Sequence, residues 1–422
     1  MAKPVTAKKN DTKETKVIEK TKTVQDSVTD DFSADLIKMI NKEHNEKIAF
    51  NLGTDNAPTY VKRWISTGSK QMDYIVSNRR DGGLPEGRIV EIQGPPGIGK
   101  STLVSLIARS TQKMGGIAVY IDTENATNPD TLSSMGVDVT KRFIFVQSPC
   151  TEEILNVIES TILKARSMTK DVPVTVIWDS VSQSSPRAEL EGDYDQNSIG
   201  LQARVLSKGM RKIANVIGGQ NVLLVLVSQQ RMKIGVSFGD PTTTAGGMAI
   251  PYSSSVRIRL DGGSQIKDKN ENVIGINCTA RTIKNKVAKP FRKIAFRILF
   301  GRGIFENDEI FDMLRLHCKE NAKNPCRYNG KLVSVDGEGA WKTFTVVDEK
   351  NGDVETEVKF YKQDFTEKVL DVPEYQDYVN ALMDAALVLG LDSKVEDHST
   401  YEALADGENG AQGATAEDLA AN

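Results

Sequence analysis

The chain has 422 residues, of which 39% are hydrophobic and 26% charged, with a formal net charge of −3. At about 100–200 residues per domain that length holds two or three domains. No apolar run reaches the ~18 residues that cross a bilayer and the N-terminus lacks a secretory apolar core; the four scattered cysteines fit a reducing, cytoplasmic setting better than a disulfide framework.

Residues 1–32 are Lys/Thr-rich with no periodic apolar face and read as a disordered tail. Residues 33–64 read as a helix-strand arm. Ser33 is a plausible N-cap for a helix carrying Leu36, Ile37, Met39 and Ile40, and "KIAFNLG" is the strand. Such an arm packs on its own core or is lent to a neighbouring subunit for oligomerisation.

Residues 65–304 change rhythm. "RIVEIQ", "GIAVYID", "RFIFVQ", "VPVTVIWD" and "NVLLVLVSQ" are apolar runs of strand length, with amphipathic segments such as "TEEILNVIESTILKAR" between them. Continuous apolar strands alternating with helices indicate an α/β core with a parallel sheet covered on both faces. "SSSVRIRL", "NCTARTIKN" and "FRKIAFRILF" follow at short spacing and read as an antiparallel extension. Residues 305–394 read as a small α+β domain. Within it His317, Cys318 and Cys326 are better taken as core or surface residues than as metal ligands, because no second thiol pair completes a site. Residues 395–422 hold acids and no Lys or Arg, an acidic disordered tail. It serves as a solubilising end or as a decoy polyanion at a basic surface. The middle of the chain is basic without it, so the net charge does not exclude DNA.

"GPPGIGKS", Gly94 to Ser101, matches G-x-x-x-x-G-K-[ST] between a strand and a helix. Glycines let backbone N–H groups turn inward around phosphates, Lys100 reaches the β- and γ-phosphates, and the Ser101 hydroxyl ligates Mg²⁺. The expected nucleotide contacts are Gly94, Pro95, Pro96, Gly97, Ile98, Gly99, Lys100, Ser101 and Thr102. Asp179 ends an apolar strand, where an acid holds a metal-bound water. Glu124 ends another, where it activates the attacking water; Asp122 is the rival base. These residues point to hydrolysis of a nucleoside triphosphate, ATP with Mg²⁺.

The segment "RMKIGVSFGDPTTTAGG", Arg231 to Gly247, is a long connection between two strands, and loops beyond about 12–15 residues are usually functional or disordered. Gln229 stands at its root after a run of apolar residues, placed to sense the γ-phosphate or merely to end a strand.

Several blocks together resemble the bacterial RecA-type DNA recombinases: "GGLPEGRIVEIQGPPGIGKSTL", "AELEGDYDQNSIGLQAR", "QRMKIGVSFGDPTTTAGG" and "KNKVAKPFRKIAFRILFGRGI". The likeness runs from about Ile65 to Ile304 and fades in both tails, as in a divergent or phage-encoded member. It implies a RecA-like P-loop ATPase core and a protein that polymerises as a helical filament on single-stranded DNA. It also implies pairing with homologous double-stranded DNA and strand exchange, the alternative being a ring-forming RecA-fold helicase or motor. The "D-x-E-x-A" context makes Glu124 the catalytic acid and Gln229 the γ-phosphate sensor. Lys284 and Lys286 become cations supplied to the ATP of an adjoining subunit. The two DNA-binding loops correspond to about Glu191–Ile199 and Gln230–Ala245. Ile199, Arg204, Ser207, Arg211, Arg231, Met232, Lys233, Phe238, Gly246 and Gly247 become the DNA contacts, through charge, stacking and close backbone approach. Four positions depart from the pattern. Thr131 stands for an adenine-stacking Tyr, Asn128 for Asp, Ser228 for Asn and Pro251 for Lys, which weakens the expected grip on adenine and part of the contact between subunits.

Overall fold

The computed structural model describes residues 32–52, 57, 59–168, 171–193, 200–232, 242–244, 246–304, 306–320, 326–337 and 339–388. The chain divides into two compact units, residues 1–61 and 62–422. In the first, residues 32–43 form the expected helix, α1. The strand expected in "KIAFNLG" is not formed. Asn41 takes that backbone instead: its Oδ1 accepts the N–H groups of Ile48 and Ala49, both at 2.8 Å, and its Nδ2 donates to the Ala49 carbonyl at 3.0 Å. A ladder needs a partner strand, whereas one side-chain amide satisfies these groups locally. Phe32, Met39, Ile48 and Leu52 remain exposed.

The second unit begins with β1 (Trp64–Ile65), α2 (Lys70–Ser77) and β2 (Leu84–Pro85), the two strands pairing antiparallel. Alternating elements follow: β3 (Ile89–Gly94), α3 (Lys100–Lys113), β4 (Ile117–Asp122), α4 (Pro129–Ser134), β5 (Phe143–Gln147), α5 (Thr151–Met168) and β6 (Val174–Asp179). Next come α6 (Arg187–Leu190), α7 (Leu201–Gln220), β7 (Val222–Met232), β8 (Thr242–Thr244) and α8 (Ala249–Ser253). The last four strands of the sheet are β9 (Val256–Lys267), β10 (Val273–Asn285), β11 (Lys293–Leu299) and β12 (Gly303–Ile304).

Across the sheet the order is β12-β11-β10-β9-β3-β7-β6-β4-β5, with β8 attached to β7. From β9 to β5 every pair is parallel, and from β9 outward every pair is antiparallel. All five apolar runs are strands of the parallel part. β9, expected only in the extension, is the turning point: it runs parallel to β3 and antiparallel to β10.

Both faces of β3, β4, β6 and β7 are covered, and this explains their apolar runs, whereas β5 at the edge leaves Ile144 and Phe145 exposed. Along β7, Leu223, Val225 and Val227 pack into one core with Val90 and Ile92 of β3, Met72 of α2 and Leu103 and Ile107 of α3. Leu224 and Leu226 enter the opposite core with Ile154 and Ile158 of α5 and Leu206 and Met210 of α7.

Beyond the sheet lie α9 (Glu306–Glu320), β13 (Cys326–Tyr328), β14 (Lys331–Asp336), β15 (Trp341–Asp348), β16 (Val354–Tyr361) and α10 (Gln376–Leu387). β13 to β16 form a separate antiparallel sheet in sequential order. Its apolar face, with α9 and α10, encloses Phe311, Phe344, Phe360 and Leu382, and Tyr74 of α2 is part of the same cluster. α2 is therefore the shared wall, with Met72, Ile75 and Val76 in the main core and Tyr74 in the smaller one. The Tyr74 hydroxyl donates to Asp384 Oδ1 at 2.9 Å, Arg80 pairs with the same carboxylate, and Arg292 bridges the Tyr74 and Leu387 carbonyls.

Asp384→Ala strands the buried Tyr74 hydroxyl and is expected to cost about 1–3 kcal/mol. Tyr74→Phe costs less, since Asp384 keeps Arg80. Urea unfolding curves of the two variants check this; equal losses would show that the hydroxyl is not the group at stake.

Candidate nucleotide-hydrolysis site

β3 carries Gly94 to the carboxyl edge of the sheet, and the chain turns through Pro95, Pro96, Gly97, Ile98 and Gly99 into α3 at Lys100. The turn requires glycine. Gly99 has φ +90° as the residue before the helix, and a Cβ there would lie 2.3 Å from Ile298 Cδ1 of β11. The unpaired N–H groups at the start of α3 then face outward as an anion site. Lys100 lies over this turn, its Nζ donating to the carbonyls of Gly94 at 3.0 Å and Pro95 at 2.7 Å. Burial lowers its pKa, while the charges of Asp179 and Glu124 pull it back up.

Strand register assembles the rest. Gly94 pairs with Gln229, and Asp122 with Asp179, so the ends of β3, β4 and β6 and Gln229 of β7 meet along one edge. A cleft of about 130 Å³ opens there, lined by Ser101, Thr102, Tyr120, Asp122, Glu124 and Asp179 among others. Asp179 is buried, which pushes its carboxyl above the usual range, against the hydrogen bonds that the Ser101 and Tyr120 hydroxyls give it. Ser101 and Asp179, read separately as metal ligands, are thus neighbours. Their donor set is a hydroxyl and a carboxylate, oxygen ligands that suit a hard cation such as Mg²⁺.

Hydrogen bonds set Asp122 and Glu124 apart. Asp122 Oδ1 accepts the N–H groups of Glu124 and Asn125 at 2.8 and 3.0 Å, and its Oδ2 accepts those of Ala126 and Thr127 at 3.1 and 3.0 Å. With its lone pairs so occupied it anchors the loop. Glu124 is exposed, and its Oε1 accepts from Ser180 Oγ at 2.6 Å and from Gln229 Nε2 at 2.7 Å. Gln229 is fixed in turn by its own N–H, which donates to Ser182 Oγ at 2.9 Å.

A family model described as the RecA N-terminal domain matches residues 33–305. The chain is 42% identical over 253 residues to Protein RecA of Pseudomonas savastanoi pv. phaseolicola, covering 60% of this chain and 68% of that protein. It is 41% identical over 270 residues to Protein RecA of Pseudomonas fluorescens SBW25, covering 64% and 74%. The chain belongs to the RecA family. It is accordingly an ATP-dependent DNA recombinase of repair and a DNA-dependent ATPase, and the ring-forming helicase alternative is not favoured.

Sequence reading missed Tyr120, Ser180 and Ser182 of this RecA-type site. Tyr120 was hidden inside an apolar strand; Ser180 follows Asp179 directly and Ser182 comes two residues later, and only their contacts single them out. Thr131 lines the cleft, and its N–H, like that of Asp130, is held by the capping Asn128. Ser228 Oγ is buried without a hydrogen-bond partner.

Lys284 and Lys286 stand elsewhere. β10 lies between β9 and β11, so these lysines are not on an edge strand. Asn285 aligns with Val256 and through it with Val90, four residues before Gly94, roughly 13 Å back along the strand. The structure therefore does not bring them to the phosphate loop of their own chain. Lys284 Nζ donates to the carbonyls of Pro251 at 2.6 Å and Tyr252 at 3.3 Å. Burial, then Lys286 and Arg257, lower its pKa. Asn285, between the two lysines, donates to the Val76 carbonyl of α2 at 2.8 Å.

Of the expected DNA contacts, Arg204, Ser207 and Arg211 share one face of α7, at helical spacing, and Arg204 and Arg211 are exposed. The second loop is less irregular at its ends than expected: Gln230, Arg231 and Met232 pair with Thr244, Thr243 and Thr242 as a β7–β8 ladder. Gly246 (φ +83°) abuts Leu206 of α7, where a Cβ would come within 2.5 Å of Leu206 Cδ1, and Gly247 follows at φ +63°. The loop's exit is thus seated on the helix that carries the arginines. Ile199, Lys233, Phe238 and the side chains of Arg231 and Met232 lie outside the described residues.

Lys100→Ala removes the one cation in the phosphate turn and is expected to weaken ATP binding about 10–100-fold, the worth of a charge-assisted hydrogen bond, and to abolish hydrolysis. Fluorescent-nucleotide titration and a phosphate-release assay check this.

Proposed function

We propose that this recombinase polymerises as a helical filament on single-stranded DNA, pairs it with homologous double-stranded DNA and exchanges strands, under control of Mg²⁺ and ATP. Ser101 and Asp179 would hold Mg²⁺, which neutralises charge on the phosphates; Lys100 and the turn from Gly94 to Thr102 hold the phosphates themselves. Glu124 orients and deprotonates the attacking water.

One observation carries the reading: Gln229 touches Glu124 through its side chain and continues, two residues on, into the glycine-threonine loop. The acid and the sensor hold each other. A γ-phosphate offers Gln229 a stronger acceptor, frees Glu124 for water and pulls on the root of the loop, so both ligands bias one element. Arg204, Ser207, Arg211 and the two glycines meet the DNA backbone, a contact indifferent to sequence, as recombination demands.

The placement of Lys284 and Lys286 supports their service to a neighbour's ATP, and the exposed apolar groups of α1, together with Ile144 and Phe145 exposed on edge strand β5, support subunit contacts along a filament. The unoccupied hydrogen-bonding edge of β5 is one place where a further strand can add. No helix among the described residues is long and apolar enough to cross a membrane.

Glu124→Gln is expected to keep ATP and single-stranded DNA binding while turnover falls about 10²–10⁴-fold, leaving filaments that electron microscopy finds persisting after ATP addition. Disassembly at the parental rate would remove Glu124 from the role. Lys100→Ala and the double variant Lys284→Ala/Lys286→Ala should each be inactive alone. Mixed in equal amounts they should recover about a quarter of the parental ATPase rate, because head-to-tail junctions pair the two intact halves by chance. A mixture no more active than its parts would argue against action between subunits. Strand exchange with homologous and heterologous duplexes tests the function as a whole.

A further inference from the structure

β4 reads Ile-Ala-Val-Tyr-Ile-Asp, and its side chains alternate between the two cores: Ala118 and Tyr120 into one, Val119 and Ile121 into the other. Tyr120 is 2% exposed, its ring 6.0 Å from that of Phe143, and it belongs to the core cluster with Val104, Ala108 and Ile177. A phenylalanine would fill that space. The added hydroxyl must be hydrogen-bonded to be tolerated there, and its partner is Asp179 Oδ2 on the adjacent strand β6, at 2.8 Å.

The phenol donates to Asp179 Oδ2, and Ser101, in the first turn of α3, lines the same cleft as that carboxylate. A carboxylate at the end of a strand turns about two side-chain bonds. A donor fixed in the core removes that freedom for Asp179 by occupying one oxygen from behind, leaving the other lone pairs turned toward Ser101 and the cleft.

We infer that Tyr120 is a positioning residue for the divalent cation: its hydroxyl orients Asp179 toward Ser101 and so sets the affinity of the site for metal. The inference rests on Ser101 and Asp179 being the cation's ligands. Outer partners of this kind fix ligand geometry before metal arrives, and losing one typically costs about 10–100-fold in affinity. The hydroxyl contacts neither phosphate nor water in this scheme. It acts only through Asp179.

The test is an equilibrium titration of Mn²⁺ into full-length protein with saturating ADP, free Mn²⁺ being read by electron paramagnetic resonance. Tyr120→Phe is expected to bind Mn²⁺ about tenfold more weakly, with the parental melting temperature and parental metal-free ADP affinity. In an Asp179→Asn background the same substitution is expected to add nothing. Parental Mn²⁺ affinity in Tyr120→Phe, with a loss in Asp179→Asn, overturns the positioning role and leaves the metal site standing. A Tyr120→Phe effect undiminished in the Asp179→Asn background overturns it as well, since the hydroxyl would then act by another route. If Asp179→Asn itself binds Mn²⁺ as the parent does, the assignment of the ligands fails and the inference goes with it.

Discussion

The chemistry of this protein depends on the register of its parallel strands. Gly94 aligns with Gln229, and Asp122 with Asp179, so groups from four strands of separate origin in the chain come together. A slip of one residue in any of them would turn its side chains to the opposite face and withdraw its terminal group by about 3.3 Å. Two apolar cores prevent that slip. Each strand buries alternate residues above and below, so sliding would expose apolar groups on both faces at once. The site is polar and solvent-facing, but its geometry is enforced by hydrocarbon.

The same logic explains which parts were legible in the sequence. Strands covered on both faces are mostly apolar, so an acid or a polar pair that follows an apolar run stands out: Asp122, Asp179 and the Ser228-Gln229 pair were visible for this reason. The phosphate turn was visible because its glycines and lysine keep fixed spacing. What spacing cannot report is which atoms are already bonded. Asp122 and Glu124 are two residues apart and chemically alike. Only the four backbone N–H groups that converge on Asp122 separate the anchor from the acid proposed as base. Tyr120 was invisible for the opposite reason: in a strand it counts as one more apolar residue until its hydroxyl is traced to Asp179. "KIAFNLG" misled because alternation describes a strand's faces and says nothing of whether a partner exists; Asn41 took the backbone groups instead.

α2 has a quieter part that composition could not announce. Eight residues long, it contributes to both cores, and its Val76 carbonyl accepts from Asn285 between the two lysines. The lysines are therefore held against a helix that also carries the C-terminal α+β segment through Tyr74, Arg80 and Asp384. Three hydrogen-bonded links, Tyr74 to Asp384, Arg80 to Asp384 and Asn285 to Val76, join that segment, the helix and the residue between the lysines. On the proposed reading, the divergent C-terminal part and the contact between subunits are mechanically one body.

The size of the coupling between nucleotide and DNA can be bounded from the Glu124–Gln229 contact. A hydrogen bond to a carboxylate contributes about 1.5–3 kcal/mol, and on the proposed reading a γ-phosphate must compete with it to recruit the sensor. The ligand can shift the loop's equilibrium only by its differential affinity for the two arrangements, so the available bias is of that order, roughly 10–100-fold in population. Linkage makes the effect reciprocal: DNA that prefers the loop in its released arrangement must tighten nucleotide binding by the same factor. Ser180, which donates to the same Oε1, keeps Glu124 in place after Gln229 leaves. The acid is thus freed from its sensor without losing its aim. One bond can then signal while the other positions.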